Sequence, residues 1–225
     1  MVESTQTIDR NSQKEELKQR ALQMMADAKE LKEGWSVAHD DASKDYKIWV
    51  RKTADGPQVV TEIRADGVTP EKMQQYGSNW TAYAPEMDKN LTIGALPDDN
   101  GAKIYHINYK MSGLMGLMVS DRTFYMAYWE EEDGKGFTTI DTTEGNKHIE
   151  EANKKTTGKN VLGTIHVEYF RVSFDEGGAC RMTKVSQAHA GGSLPRGTGL
   201  PTKAIVGDAR KEMEGLIDFI ANKMK

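Results

Sequence analysis

A series of short segments that fit β-strands, followed by one long amphipathic segment, constrains the fold of this chain more than any other feature. Turn residues such as Asp98-Asp99-Asn100-Gly101 separate the segments. The predicted strands of this region are residues 91–95, 103–110, 122–129, 136–143, 163–174 and 181–189. In residues 200–225, apolar side chains recur at helical spacing, which predicts a helix with one apolar face. That face must lie on an apolar surface, and the antiparallel sheet supplies one.

The first part of the chain adds helices and a short meander. Residues 1–13 carry few apolar side chains and are predicted to form a flexible tail, which leaves residues 14–225 as one domain. Further predicted elements are a helix at 14–32 that Gly34 ends, strands at 36–39, 46–52 and 58–65, a helix from Thr69 to residue 76, and a helical turn at 79–83 that Pro85 stops. The order of elements predicts an α+β fold.

Composition narrows the class of protein. The 225 residues are 37% hydrophobic, which provides one core, and the net charge of −4 attracts no nucleic acid. The single cysteine, Cys180, forms no intramolecular disulfide, and the polar N-terminal sequence lacks a signal-peptide pattern, so we expect a cytoplasmic protein. The longest uncharged apolar run, residues 111–119, is far shorter than the roughly 20 residues of a membrane-spanning helix.

No motif in the sequence identifies an enzyme. Gly191-Gly192-Ser193-Leu194-Pro195 superficially suggests a serine nucleophile elbow, but the elbow requires a glycine where this chain has Pro195. The five histidines show no metal-ligand spacing, and the glycine-rich stretch at 191–199 lacks the Lys-Ser/Thr ending of a phosphate loop. We therefore predict no catalytic residue, no metal and no cofactor.

Two predicted strands carry apolar side chains in a pattern that suits a cavity wall. In residues 122–129, Phe124, Met126 and Tyr128 share one face, while the other face is also apolar. Tyr105, Ile107 and Tyr109 alternate along the preceding strand in the same way. Two explanations remain open: core packing on both sides of the sheet, or one face that lines an internal cavity.

Five local strings occur in order along these elements: Gly34-Trp35, Trp80, Ser120-Asp121-Arg122-Thr123-Phe124, Gly163-Thr164-Ile165-His166-Val167 and Gly191-Gly192-Ser193-Leu194-Pro195. With the order of elements, they resemble the START family, the steroidogenic acute regulatory protein-related lipid transfer domains, over residues 17–224. The resemblance implies a helix-grip fold, in which a curved antiparallel sheet wraps around a long C-terminal helix and encloses a hydrophobic cavity. It also implies a gate formed by the 111–119 loop and the last helix.

The resemblance, together with the strand faces, predicts a protein that binds and transfers one lipid. The ligand is expected to be a phospholipid, a sterol or a carotenoid-like molecule, and the protein a monomer that contacts membrane surfaces transiently and binds no nucleic acid. The residues predicted to contact the ligand are Tyr105, Ile107, Tyr109, Met111, Leu114, Leu117, Met118, Phe124, Met126, Tyr128, Ile205, Ala209 and Met213.

Departures from the family pattern leave the ligand open. Sterol-carrying members have a buried acid and an arginine at places that align with Tyr109 and Tyr128, so this pocket is expected to present two phenols instead of an ion pair. An alternative function is that of a helix-grip cyclase or hydrolase acting on an aromatic or polyketide substrate, with Tyr109, Tyr128, His166 or His189 as acid/base groups. A third is a sensor or scaffold that binds an apolar ligand without transferring it.

Overall fold

One large sheet organises the part of the chain that the structure describes. The computed structural model describes residues 9–110, 121–132, 136–145, 160–189, 191 and 200–224. The strands in this part are β1 (Ser36–Asp41), β2 (Tyr46–Thr53), β3 (Gly56–Arg64), β4 (Leu91–Asp99), β5 (Ala102–Tyr109), β6 (Asp121–Glu132), β7 (Gly136–Thr142), β8 (Asn160–Leu162), β9 (Thr164–Phe174) and β10 (Cys180–His189). The helices are α1 (Arg10–Lys29), α2 (Pro70–Ser78), α3 (Trp80–Met87) and α4 (Thr202–Asp218), with a 3₁₀ turn at Ala42–Lys44 and a π-helical turn at Phe219–Lys223.

The strand order joins the two ends of the domain. The sheet runs β1-β2-β3-β10-β9-β7-β6-β5-β4, and every neighbouring pair on this path is antiparallel. The short β8 pairs in parallel with the start of β6. Because β3 pairs with β10, the N-terminal meander lies beside the last strand, and α4, which follows β10, contacts β1 and β3.

Helices cover both faces of the sheet. Leu17, Ala21, Met24 and Ala28 of α1 are buried in one cluster with side chains such as Trp129, on what we call the outer face. The opposite, inner face packs against α2, α3 and α4 in a second cluster. The apolar stripe predicted for the last helix is confirmed in position, since Ile205, Met213 and Ile220 are buried there.

The first helix begins four residues before the predicted boundary at residue 14. Asp9 caps its N-terminus by accepting hydrogen bonds from the backbone N–H groups of Asn11 and Ser12. Arg10 is 1% exposed and donates to the Asp99 carboxylate at 2.8 Å and to the Gly145 carbonyl at 2.9 Å. Sequence periodicity missed this start because an arginine is not expected on the buried face of a helix. In the structure, the ion pair with the distant Asp99 allows Arg10 to be buried.

Three other elements differ from the predictions. Pro85 does not stop the helical turn, because α3 continues to Met87 with the proline inside it. Proline removes one backbone hydrogen bond and crowds the preceding turn, and here it does so only two residues before the helix ends at Met87. The helix at the C-terminus changes to a π-helical turn at Phe219–Lys223, and β8 was not predicted, since three residues carry too little periodicity.

Two glycines provide a matched test of this packing. A Cβ at Gly207, in α4, meets no atom within 4 Å, whereas a Cβ at Gly136, in β7, lies 2.0 Å from the backbone oxygen of Val172. We expect Gly207→Ala to raise the free energy of unfolding by about 0.5–1 kcal/mol, because alanine favours the helix. Gly136→Ala should lower it by roughly 1–3 kcal/mol through overpacking. Urea denaturation of both variants measures this, and equal effects would contradict the described packing.

Candidate functional site

The strand register places the predicted ligand-contacting residues of β5 and β6 on one face of the sheet. Tyr105 lies opposite Met126, and Ile107 lies opposite Phe124. Tyr128, on the same face of β6, pairs with Asp141 of β7, which pairs in turn with Glu168 of β9. Because Glu168 is opposite Ser186 of β10, and Ser186 lies beneath α4, this common face is the inner face.

Packing divides these residues into two groups. Trp80 of α3 contacts Tyr105 and Tyr128, with ring centroids 5.0 and 5.2 Å apart respectively. Tyr128 is only 4% exposed, so its ring is part of the core. Ile107, Tyr109 and Phe124 are half-buried, as is Tyr105. These half-buried side chains form an apolar strip along β5 and β6.

A cleft of about 250 Å³ lies between α4 and strands β3 and β10. Its residues are Pro57, Val59, Thr61, Lys184, Ser186, Ala188, Leu200, Ile205, Asp208, Ala209, Glu212 and Met213. Three predicted ligand contacts, Ile205, Ala209 and Met213, therefore line it.

The other predicted contacts are placed differently. The six on β5 and β6 share the inner face but do not line the cleft. The remaining four, Met111, Leu114, Leu117 and Met118, lie outside the described residues, as does the predicted gate at 111–119.

Charged side chains also meet on the inner face. The Lys184 ammonium lies 3.0 Å from a Glu168 carboxylate oxygen and also contacts the Glu212 carboxylate of α4. The side chain of Lys184 is 11% exposed. Lys184 and Glu212 line the cleft, so an ion pair of other residues is present there. That Tyr109 and Tyr128 occupy the family's ion-pair positions stays a prediction.

Asp141 extends this group across the sheet. It is 5% exposed and faces the same side as its strand neighbours Tyr128 and Glu168. Its Oδ1 atom is buried and has no hydrogen-bond partner among the described residues. We call Asp141, Glu168, Lys184 and Glu212 the inner polar cluster.

The proton equilibria of the cluster follow from its burial. Desolvation raises the pKa of Asp141 well above its usual range, and the negative charge of Glu168 raises it further. Desolvation also raises the pKa of Glu168, while Lys184 acts in the opposite direction. For Lys184, burial by itself lowers the pKa, but the two glutamates outweigh burial and raise it, so the ammonium stays charged.

Sequence reasoning missed this cluster, although a signal was present. Asp141, Glu168 and Lys184 each lie inside a predicted strand, on the face that the strand alternation assigns to its apolar neighbours Phe137, Phe170 and Met182. Only the register between strands shows that the three charges are adjacent. A charged residue on a strand face that also carries large apolar side chains was therefore the signal in the sequence.

A second polar pair lies where β7 ends. The Nδ1 atom of His166 lies 2.6 Å from a Glu144 carboxylate oxygen, and the buried Nε2 atom has no partner among the described residues. The His189 ring is 5.8 Å from that of His166. The sequence offered four acid/base candidates, and in the described part only the two histidines among them contact each other. The hydroxyl of Tyr128 instead donates a hydrogen bond to Glu130 at 2.9 Å.

A metal site and a membrane-spanning helix are both absent from the described ranges. There, no group of three or more His, Cys, Asp or Glu side chains is arranged to hold a metal ion. None of the described helices combines the length and apolar character that crossing a membrane requires.

A large antiparallel sheet with a C-terminal helix lying on its inner face defines the helix-grip class of α+β fold. This architecture confirms the fold predicted from the sequence.

Comparisons with known proteins identify solved structures that have a similar fold. No protein-family model and no curated protein matches the sequence. Among solved structures, human StAR-related lipid transfer protein 5 matches with a TM-score of 0.69 at 12% identity, over 95% of this chain and 96% of that one. Human STARD10 matches with a TM-score of 0.67 at 13% identity, over 91% and 80% of the two chains.

A bacterial structure is also similar. The STAR-related lipid transfer protein from Xanthomonas axonopodis matches with a TM-score of 0.52 at 15% identity, over 84% of this chain and 97% of that one. The chain therefore has a START-like fold, as its sequence motifs predicted.

The buried carboxyl of Asp141 makes stability depend on pH. Its pKa is higher in the folded than in the unfolded protein, so the folded state binds more protons and loses stability as pH rises through the folded-state pKa. Asp141→Asn removes this loss. Urea denaturation at pH 5 and pH 8 should show the variant gaining stability relative to the wild type at the higher pH.

The control is Thr139→Val, which changes a buried polar group on the same strand without removing a titrating one. It should differ from the wild type by the same amount at both pH values. A pH-independent difference for Asp141→Asn would show that this carboxyl is not shifted.

Proposed function

We propose that this protein binds one elongated, mostly apolar small molecule, a lipid, between the inner face of the sheet and α4, and transfers it between membranes. The observation that carries this proposal is the cleft beneath α4, whose wall includes Val59, Leu200, Ile205 and Met213. The half-buried strip of β5 and β6 on the same face offers further apolar surface. Concave sites of this composition suit apolar ligands.

The energetics suit a lipid. Burying a chain of ten methylene groups supplies roughly 8 kcal/mol at about 0.8 kcal/mol each. Ordering the chain and losing its free translation reduce this gain. What remains, supplemented by contacts to the polar end, is compatible with binding in the micromolar range, which corresponds to about 8 kcal/mol.

The structural neighbours support the same class of function. Human StAR-related lipid transfer protein 5 and the Xanthomonas axonopodis protein are both described as lipid transfer proteins. At 12–15% identity they share the fold, so their lipid-transfer function is an analogy that supports this proposal.

A matched pair of substitutions in α4 tests the proposal. Ala209 lines the cleft, whereas Ala204 is exposed on the same helix. The protein is incubated with vesicles of mixed phospholipid containing a sterol and a carotenoid, separated by gel filtration, and extracted for mass spectrometry. We expect Ala209→Trp to reduce the lipid recovered with the protein about tenfold by filling the cleft, and Ala204→Trp to leave it unchanged.

The outcomes of this experiment separate the proposal from its failure. Equal recovery of lipid with both variants would show that the binding site lies outside the cleft. If the wild type recovers no lipid from any vesicle, the proposed function is wrong. The lipid class that is retained identifies the ligand among phospholipid, sterol and carotenoid.

One observation favours a catalytic alternative. Glu144 orients His166 and leaves its Nε2 atom without a partner among the described residues, an arrangement that suits a general base. A cyclase or hydrolase of the helix-grip class would use such a pair. The extraction experiment distinguishes the two functions, because a carrier returns its ligand unchanged whereas an enzyme returns a product.

The gate is a further part of the proposal and rests on the sequence alone. We propose that residues 111–119 contact the membrane during loading, since their leucines and methionines are apolar and their glycines permit movement. Leu117→Asp and Met118→Asp should each slow transfer between vesicles several-fold, because a charge opposes insertion into lipid. Transfer is measured by fluorescence dequenching, and circular dichroism verifies folding. Unchanged transfer rates would contradict the proposed gate.

A further inference from the structure

Two arginines on the outer face of the sheet carry charges that no described carboxylate pairs with. Arg20 belongs to α1 and Arg51 to β2, and both residues are half-buried. Neither forms a salt bridge within the described part of the chain. A half-buried charge without a counter-charge is unfavourable, because it has lost part of its hydration. The two guanidinium groups are therefore suited to an anion that comes from outside this part of the chain.

A pair of buried amides links the two arginines. Gln58 of β3 is 7% exposed, Gln187 of β10 is 3% exposed, and the two are cross-strand partners. The Gln58 amide donates to the Oε1 atom of Gln187 at 3.1 Å. Arg20 donates from Nη2 to that same oxygen at 2.6 Å. Arg51 donates from Nε to the Oε1 atom of Gln58 at 2.7 Å. Amide oxygens accept these hydrogen bonds but carry no net charge, so both positive charges remain uncompensated.

The surroundings of Arg51 fix its guanidinium group. The guanidinium carbon lies 5.2 Å from the centroid of the Trp35 ring, which is a cation–π geometry. A Cβ at Gly34 would lie 3.2 Å from the Cγ and Cδ atoms of Arg51, so the stem of the arginine packs closely against this glycine. Because Nε already donates to Gln58, the two Nη groups are the donors that remain without an acceptor in the described part. A guanidinium held in this way loses little freedom when it binds a ligand.

The acidic groups nearby are engaged by other cations. Asp27 of α1 is close enough to Arg51 for the arginine to lower its pKa slightly, but its main partner is Lys32, whose ammonium lies 2.8 Å away. Glu62, on the outer face of β3, pairs with Lys29 at 2.7 Å. The excess positive charge at this place is therefore that of the two arginines.

The two charges select the class of anion. A guanidinium group presents a planar fork of N–H donors that matches the oxygens of a carboxylate or a phosphate. A carboxylate carries a single negative charge, whereas a phosphate monoester carries about −1.5 to −2 at pH 7 and has three strong acceptor oxygens. Only the phosphate monoester can balance both arginines and accept hydrogen bonds from each of them.

We propose that Arg20 and Arg51 bind a phosphate monoester group on the outer face of the sheet. Gln58 and Gln187 are the positioning residues, which act through the two arginines. The site lies across the sheet from the cleft, because Val59, the neighbour of Gln58, lines the cleft on the inner face. The proposal is therefore independent of lipid binding beneath α4. A small soluble phosphate and the phosphomonoester head group of a membrane lipid share the required chemistry.

Calorimetric titration with inorganic phosphate, and with acetate as a singly charged probe, tests the site at pH 7.5 and low ionic strength. We expect the wild type to bind phosphate at least about tenfold more tightly than acetate. Arg51→Gln should weaken phosphate binding about tenfold, because one of the two guanidinium groups is lost. The matched control is Lys52→Gln, which removes the same charge from an exposed residue on the other side of β2 and should leave binding unchanged.

Further variants keep the test decisive. Arg20→Gln should weaken phosphate binding to a similar extent as Arg51→Gln, and it decides the outcome if Arg51→Gln does not fold. Arg51→Lys keeps the positive charge without the planar fork, so it should recover only part of the affinity. Circular dichroism verifies the folding of every variant.

Vesicles distinguish the two sources of the phosphate group. Sedimentation compares vesicles of phosphatidylcholine alone with vesicles that also contain phosphatidic acid, whose head group is a phosphate monoester. If the head group is the ligand, the wild type and Lys52→Gln should sediment with the second kind of vesicle, and Arg51→Gln should do so several-fold less. If the ligand is a soluble phosphate, inorganic phosphate binds but phosphatidic acid does not increase sedimentation.

Three results would overturn the phosphate site. The first is that the wild type binds neither inorganic phosphate nor vesicles with phosphatidic acid. The second is that acetate binds as tightly as phosphate. The third is that Lys52→Gln weakens binding as much as Arg51→Gln, which would indicate a response to net charge alone. None of these results bears on the lipid cleft, which the extraction experiment with Ala209→Trp tests separately.

Discussion

The pairing of β3 with β10 is the interaction on which the rest of the structure depends. It joins two segments more than a hundred residues apart and places the N-terminal meander beside the last strand. Because α4 follows β10, this pairing supplies β1 and β3 as the surface on which the helix lies. The cleft between α4, β3 and β10 exists only as a result. Such non-local pairing is entropically costly to form, and the burial of both sheet faces offsets that cost.

The inner polar cluster places charged groups where their burial is energetically unfavourable. Buried charges are expensive, and replacing them with apolar residues often stabilises a protein. Here Lys184 is shared between Glu168 and Glu212, and Asp141 keeps one oxygen atom without a partner in the described part. Departures of this kind from good packing concentrate at functional sites.

Local patterns in the sequence predicted much of the fold. The six strands between residues 91 and 189 and the amphipathic last helix are confirmed, because alternation and helical spacing reflect which side of one element is buried. The elements that were mispredicted depend on distant partners or lack periodicity. Arg10, at the start of α1, is buried through its ion pair with Asp99, and β8 is too short to carry a pattern. Pro85 lies within α3 although proline was expected to end the turn.

By itself, the sequence determined the type of most elements, the α+β class and the START-like motifs, since these follow from neighbouring residues along the chain. Only the tertiary structure decided what lies together on the inner face. Strand register sets which side chains are opposite one another, and it aligned Tyr105 with Met126 while also bringing Asp141 beside Glu168. Residues separated by long stretches of sequence carry no local signal of their contact, so the polar cluster appears only when the sheet is assembled.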